Sequence, residues 1–270
     1  MMMEEYLVRF LSTQMKQKSL CKEIDRVWEE LHLNNKIPLT SQIESVRLFY
    51  AHPVWKANSL FSMYDPISQL HRNSIAHFIK SLDVLKIADY GGGSGELCKK
   101  ILQFSDCALI SLDVIEPYID NKVDEYSQIA FRRNLEGYYD LIIAQDVLEH
   151  LDNPLEVIKE MIDHLNDGGF LLFANCFYPI IKCHLPSNFY LRHIFPYIMK
   201  LLGFSQYVRV LYAEHAVCWR MVNRPNFILL VRLLPLLKII GSLLNCIAPI
   251  FILPLRFVRG IRRRLALITK

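Results

Sequence analysis

The sequence lacks a regular cysteine pattern, and this absence argues against two classes of protein. Its seven cysteines are odd in number and include no CxxC pair, so we expect neither a disulfide framework nor a cysteine-based metal site. The opening residues, MMMEEYLVRF, also lack the basic and apolar regions of a secretory leader. These features predict reduced thiols in a cytoplasmic protein.

Acidic residues are missing from the C-terminal part of the chain. Residues 224–270 contain nine Lys and Arg and no Asp or Glu, whereas residues 1–223 carry 22 basic and 27 acidic side chains. The overall net charge of +4 therefore combines a mildly acidic body with a basic end. This asymmetry indicates a negatively charged partner, which is either a membrane surface or a nucleic acid.

The basic end is also the most apolar part of the chain. Residues 239–255 form a run of 17 uncharged residues that includes Asn245, Pro249 and Pro254, and a run of this length is at the lower limit for a bilayer span. Such a broken, basic-flanked segment favours a pair of helices lying on an anionic membrane. A transmembrane helix and packing against the body or a second subunit are the alternatives. Nucleic acid is disfavoured because the arginines lie among Leu, Ile and Phe without stacking partners.

Apolar periodicity divides the chain into three regions. Residues 1–80 have helical spacing and are predicted to form a helical cap or lid. Residues 81–223 alternate short apolar runs with helical stretches, which is typical of βαβ units on a parallel sheet. Their last two runs, QYVRVLY and AVCWRMV, are separated by three residues, which permits only an antiparallel hairpin. Residues 224–270 are the helical appendage, and the fold class is therefore α/β.

A glycine-rich turn follows the first predicted strand. Asp89 is followed by glycines at 91, 93 and 95, which allow a sharp turn and close approach of a ligand. The dinucleotide fingerprint would need Gly or Ala where Glu96 stands, and no Gly-Lys-Ser/Thr of a P-loop follows. Asp113 closes the next strand, where a carboxylate can accept hydrogen bonds from both ribose hydroxyls of a nucleoside.

Three segments resemble the class I methyltransferases that use S-adenosylmethionine. The glycine turn is similar to their motif D/E-x-G-x-G-x-G, residues 139–151 resemble the "fDlIv...vlEHl" segment of ubiquinone-type O-methyltransferases, and LNDGGF resembles their L-x-p-G-G turn. The resemblance covers residues 66–222. It implies a Rossmann-like sheet and methyl transfer from S-adenosylmethionine to a small or lipid-like acceptor, with oxygen favoured over nitrogen or carbon.

The resemblance also implies which residues bind the cofactor. The acid of the glycine turn would lie near the methionine amino group, the second acid would bind the ribose, and residues after the second and third strands would lie near the adenine. Where relatives often have an acid after the third strand, this chain has Asn134. The implied cofactor-binding residues are Asp89, Gly91, Gly93, Gly95, Asp113, Val114, Asn134, Leu135 and Gln145.

An O-methyltransferase also needs a base or a metal near the transferred methyl group. His184, just after the fifth strand, and His150 are the candidate bases because histidine titrates near neutral pH. A polar pair of Glu149 and His150 with no catalytic role is the alternative. No His, Cys or carboxylate cluster has ligand spacing along the chain, so no metal is expected. Residues 55–64 are expected to cover the site, with ordinary aromatic packing as the alternative.

Two other functions compete with this interpretation. The same cofactor fold serves RNA methylation, and the chain could instead be a non-catalytic cofactor-binding scaffold anchored at a membrane by its tail. An intact glycine turn favours cofactor binding in all three cases, but it does not by itself establish turnover.

The substitution Asp113→Ala is expected to weaken S-adenosylmethionine binding strongly. Each charge-assisted hydrogen bond to the ribose contributes about 1.5–3 kcal/mol, so loss of one or two of them predicts a fall in affinity of tenfold or more. Titration calorimetry on the purified variant measures this. Wild-type affinity in the variant would refute the assignment of Asp113 to the ribose.

Overall fold

A computed structural model describes residues 17–105, 107–112, 129–213 and 215–268 of the chain. The helices it contains are α1 (Gln17–Glu30), α2 (Ile43–Ala51), α3 (Pro53–Tyr64), α4 (Pro66–Lys80), α5 (Glu96–Leu102), α6 (Pro154–Asp163), α7 (Leu191–Leu201) and α8 (Phe227–Ile268). The strands are β1 (Lys86–Tyr90), β2 (Ala108–Leu112), β3 (Ile129–Arg132), β4 (Tyr139–Gln145), β5 (Leu165–Ala174), β6 (Phe204–Arg209) and β7 (Ala216–Met221).

The seven strands form one sheet with the order β3-β2-β1-β4-β5-β7-β6. The first five strands are parallel, and β7 pairs antiparallel with both β5 and β6. The predicted α/β class, with its terminal hairpin, is therefore confirmed. The strand order reverses between β1 and β4, and ligands of open α/β sheets bind at the carboxyl ends of strands at such a point.

Both faces of the sheet are covered, which explains why its central strands are almost wholly apolar. On β4, Leu141 and Ile143 pack with helices α4 and α5, whereas Ile142 and Ala144 pack with α6 and α7 on the other face. All four residues are fully buried. Because successive side chains of a strand point to opposite faces, one short apolar run contributes to two hydrophobic cores.

The N-terminal helices form a third core beside the sheet. Leu20, Trp28 and Phe49 are buried there together with Cys183 and Leu185, which come from the segment after β5. The Asp152 carboxylate accepts hydrogen bonds from the backbone N–H groups of residues 39 and 40, at 2.8 and 2.9 Å. The helical cap is thus joined to the loops that follow β4 and β5.

The C-terminal segment is one continuous helix, α8, and the prediction of a pair of helices was wrong. A proline removes one helical hydrogen bond and can kink a helix without reversing the chain. One face of α8 docks on the body, where Leu230 is 3% exposed and the Asn245 amide donates to the carbonyl of residue 189 at 2.6 Å.

The opposite face of α8 is apolar and exposed. Ile228, Val231, Ile239 and Leu243 are 70%, 68%, 59% and 56% exposed. Within the described residues, 227–248 form a stretch whose length and composition would suffice to cross a membrane, and of its residues only Leu230 and Gly241 are buried. The helix therefore has a docked stripe and an uncovered apolar stripe on opposite sides.

Docking of α8 predicts a contrast between two neighbouring residues. Leu230→Ala should lower the free energy of unfolding by about 2–5 kcal/mol because it opens a cavity in the core. Val231→Ala, on the exposed stripe, should change it by less than about 0.5 kcal/mol. Guanidinium chloride denaturation of both variants measures the difference. Equal stability of the two would contradict the docked arrangement.

Candidate functional site

The glycine-rich turn joins β1 to α5 at the point where the strand order reverses. Gly91, Gly93 and Gly95 have φ angles of 73°, 53° and 72°, a region where a residue with a Cβ is strained. Gly95 caps the N-terminus of α5 in this conformation. The alternate glycines of the motif are therefore required by the backbone of the turn.

Two of these glycines differ in what an added Cβ atom would contact. A Cβ on Gly91 would lie 2.4 Å from a methyl group of Val147, so the turn after β4 approaches the glycine turn closely. A Cβ on Gly93 would meet no atom within 4 Å. Gly93 lines the cavity above the sheet, so its open side faces the space in which a ligand would lie.

The turn after β4 is held by a single amide side chain. Asn175 Oδ1 accepts from the backbone N–H groups of Val147 and Leu148, at 3.0 and 2.9 Å, and its Nδ2 donates to the carbonyl of Ala144 at 3.2 Å. Asp146, in this turn, has a positive φ of 53°. Asn175 thus stabilises a strained turn that carries an acid into the cavity.

Several charged side chains, of which Asp89 is buried, lie around the start of the glycine turn. Asp89 is 3% exposed and accepts a hydrogen bond from the Cys98 thiol at 3.7 Å. The half-buried Arg72 guanidinium interacts electrostatically with Asp89, Glu96 and Asp146. It also donates to the carbonyl of Ser62 at 2.8 Å, so it links α3 to the acids of the site.

The cavity lies between the sheet and the N-terminal helices. Its volume is about 1640 Å³, which exceeds the about 300–1,000 Å³ typical of a pocket for one ligand. Helix α3 contributes one wall, and its Ser59 hydroxyl lies within hydrogen-bond distance, 3.1 Å, of the Ser94 hydroxyl in the glycine turn. The cavity therefore has room for a cofactor and a second molecule.

The predicted cofactor residues are placed differently from one another. Asp89, Gly91, Gly93 and Gln145 line the cavity, and Gly95 completes the same turn. Asn134 is exposed and Leu135 is buried in the core, and neither belongs to the cavity wall. The assignments of Asp113 and Val114 lie outside the described residues.

The two candidate bases lie together. The rings of His150 and His184 are 4.9 Å apart between centroids, edge to face, and both line the cavity. Each ring bonds a backbone carbonyl through Nδ1: His150 with Cys183 at 3.1 Å, and His184 with Tyr178 at 2.9 Å. A carbonyl only accepts, so each Nδ1 carries the proton and each Nε2 is unprotonated. The carbonyl of Cys176 also lies near the His184 ring.

A comparison with protein families decides what this arrangement belongs to. A family model described as "Methyltransferase domain" matches residues 16–194, a range that includes the helical cap, the glycine turn, Asp146 and both histidines. The chain is a class I S-adenosylmethionine-dependent methyltransferase. The family suggested by the sequence motifs is thereby confirmed.

The curated relatives of this methyltransferase include ubiquinone biosynthesis O-methyltransferases. That of Nitrosomonas europaea is 30% identical over 138 residues, which cover 46% of this chain and 57% of the relative. That of Leptothrix cholodnii is 25% identical over 185 residues, which cover 63% and 76%. The first match therefore spans little more than half of the relative.

A solved structure supports the fold. The 1,6-didemethyltoxoflavin-N1-methyltransferase of Burkholderia thailandensis, determined with S-adenosylhomocysteine, superposes with a TM-score of 0.50 at 11% identity and covers 69% of this chain and 92% of its own. At this identity the likeness concerns the fold alone.

Burial strongly shifts the pKa values of groups beside the methyltransferase cavity. It lowers the pKa of His150 to about 3, with a further contribution from His184, and it also lowers the pKa of His184. Burial and the Asp146 charge raise the pKa of Glu149 to about 8. Both imidazoles are therefore neutral at physiological pH and are weak bases.

Sequence reasoning missed several groups of this site. Glu149 was considered only as a polar pair with His150, Arg72 was one residue of a helical cap, and Asp146 and Asn175 had no role. Asp146 and Glu149 lie in the segment that resembles the family, which was the available signal. No pattern in the sequence indicated Arg72 or Asn175.

The open side of Gly93 predicts a selective loss of cofactor affinity. Gly93→Ala should weaken S-adenosylmethionine binding at least tenfold, because its methyl group enters the ligand space. Gly168→Ala is the matched control, since Gly168 also has a positive φ of 74° but does not line the cavity. Both should lose about 1 kcal/mol of stability. Equal affinities of the two variants, measured by calorimetry, would contradict the assignment.

Proposed function

We propose that the protein transfers the methyl group of S-adenosylmethionine to an oxygen atom of a small or lipid-like acceptor. The observation that carries this proposal is that one cavity joins the glycine turn to the His150–His184 pair. A cofactor bound at the turn and an acceptor held beside the histidines would thus share one space. The O-methyltransferase relatives support oxygen as the acceptor atom.

The residues at the glycine turn fit the cofactor chemically. The Asp89 carboxylate, at the end of β1, would bind the positively charged amino group of the methionine part of the cofactor. The open side of Gly93 would let the cofactor lie close to the main chain of the turn. Gln145 lines the same cavity and offers both a donor and an acceptor. When bound, S-adenosylmethionine supplies an electrophilic methyl group on a sulfonium centre.

The protein's own contribution would be alignment, exclusion of water and help with the acceptor proton. Helix α3 covers the cavity and is tied to it by Arg72 and by the Ser59–Ser94 contact. The unprotonated Nε2 atoms of His150 and His184 are the groups that would accept a hydrogen bond from an acceptor hydroxyl. Because burial makes both imidazoles weak bases, direct proton transfer to either is the less favourable way to activate that hydroxyl.

The exposed stripe of α8 supports a second element of the proposal, contact with an anionic membrane. Its apolar side chains, among them Ile239, Leu243 and Ile247, stand in water in the isolated chain, and contiguous exposed apolar surface of this kind marks an interaction site. The basic residues of 224–270 flank it and would favour anionic lipid. A membrane-associated enzyme of the cytoplasm would meet lipid-like acceptors there.

Cofactor binding and turnover can be tested on the full-length protein. We expect calorimetry to give micromolar affinity for S-adenosylmethionine and none for NAD or ATP. With methyl-labelled cofactor, label should move into the organic phase of a membrane extract and not into RNA. Label in RNA would favour the RNA methyltransferase alternative, binding without transfer would favour the scaffold, and no binding by folded protein would refute the enzyme.

If the exposed stripe of α8 contacts a membrane, charged side chains introduced there should prevent the protein from floating with lipid vesicles. Ile239→Asp combined with Leu243→Asp should abolish co-flotation with vesicles that contain phosphatidylserine, because burying two carboxylates in the interface is costly. Leu211→Asp is the control, since Leu211 is 77% exposed but lies on the body. Unchanged flotation of the double variant would refute contact through this face.

A further inference from the structure

Three potential metal ligands converge on one wall of the cavity. Glu149, His150 and His184 each present a ligand atom, and these atoms all lie within 4.8 Å of one another. Metal–ligand bonds of about 2.0–2.2 Å place neighbouring ligand atoms roughly 3–4 Å apart, so small side-chain rotations would close the set. The expectation that no metal cluster exists was based on spacing along the chain, and His184 is distant from the other two residues in sequence.

The histidines are oriented as metal ligands usually are. In metal sites the nitrogen that does not bind the ion typically donates its proton to a backbone carbonyl or carboxylate, which fixes the tautomer and the ring orientation. His150 and His184 both have this arrangement, through the carbonyls of Cys183 and Tyr178. In this tautomer the Nε2 atom of each ring carries the lone pair that would bind an ion.

Glu149 supplies an independent observation. Its side chain is fully buried, and Oε1 accepts from the backbone N–H of Cys176 at 2.8 Å, but Oε2 has no hydrogen-bond partner. A buried carboxylate oxygen without a partner is costly. A cation beside Oε2 would remove this cost, and the nearby Asp146, which interacts electrostatically with Glu149 and His184, adds to the negative potential.

We infer that Glu149, His150 and His184 bind a divalent first-row transition-metal cation at the cavity wall. Two imidazoles and one carboxylate suit Zn²⁺, Fe²⁺ and similar ions better than Mg²⁺, which prefers oxygen ligands. Binding of the ion does not depend on the proposed methyl transfer. Three protein ligands leave at least one coordination position for another molecule, and both histidines face the cavity.

A role for the ion in catalysis does rest on the proposed function. An acceptor hydroxyl that coordinates the ion loses its proton to solvent more readily. The oxygen lone pair then forms the bond to the methyl carbon while the carbon–sulfur bond breaks and its electron pair stays on sulfur, which yields S-adenosylhomocysteine. The ion would thus do what two weakly basic imidazoles do poorly.

Cobalt(II) is a suitable probe because it reports its ligands by visible absorption. We expect the full chain, freed of metal with a chelator, to bind one equivalent of Co²⁺ with d–d bands that Zn²⁺ abolishes by displacement. Glu149→Gln and His184→Asn should each weaken binding at least tenfold. The control is His215→Asn, because His215 lines the same cavity outside the cluster and Asn tolerates its positive φ of 64°.

The outcomes separate the metal site from the proposed function. Equal Co²⁺ affinity in wild-type and His184→Asn protein would overturn the site, as would an equal loss in His215→Asn. Should the cluster variants fail a circular dichroism check, the wild-type protein still decides: one tight equivalent supports the site and none overturns it. Calorimetry with S-adenosylmethionine on the same metal-free samples shows separately whether the cofactor binds.

Discussion

Two strand-to-loop turns have to fit against each other at the carboxyl edge of the sheet, and most of the site depends on that fit. After β1 the chain passes through glycines with positive φ, and after β4 through Asp146, also with positive φ. Val147 then lies so close to Gly91 that a Cβ there would collide with it. The close approach brings the cofactor turn and the acid-bearing turn to one cavity, and Asn175 holds the second turn in place.

The electrostatics of the cavity follow from this crowding. Asp89 and Glu149 are buried beside the turns, and Asp146 is close enough to raise the pKa of Glu149. The positive charge of Arg72, which extends from the helical cap, partly offsets the charge of the acids at the glycine turn. The imidazoles of His150 and His184, which lie close to Glu149, are neutral because burial opposes their charge. Carboxyl groups beside neutral imidazole nitrogens are the kinds of side chain that bind a cationic cofactor or a metal ion.

The helical cap and α8 pack on the rest of the protein in different ways. The cap builds its own core from aromatic side chains such as Trp28 and Phe49 and shares it with the segment that carries His184, so the histidine side of the cavity and the cap are stabilised together. Helix α8 buries only one stripe, around Leu230, against the body. Its other stripe has no cover within the described residues, and exposed apolar surface of this kind is typical of an interaction site.

The sequence alone determined the α/β class, the mostly parallel sheet with its terminal hairpin, and the glycine turn. These features are local, because they depend on the periodicity of strands and helices and on the conformational freedom of glycine. It also indicated His150 and His184 singly. Only the tertiary structure decided that these two face each other, that Glu149 joins them and that Leu135 turns into the core. It also made one helix of the C-terminal segment, for which the sequence predicted a pair. Contacts between distant segments depend on how sheet, cap and loops pack, and no spacing along the chain encodes that geometry.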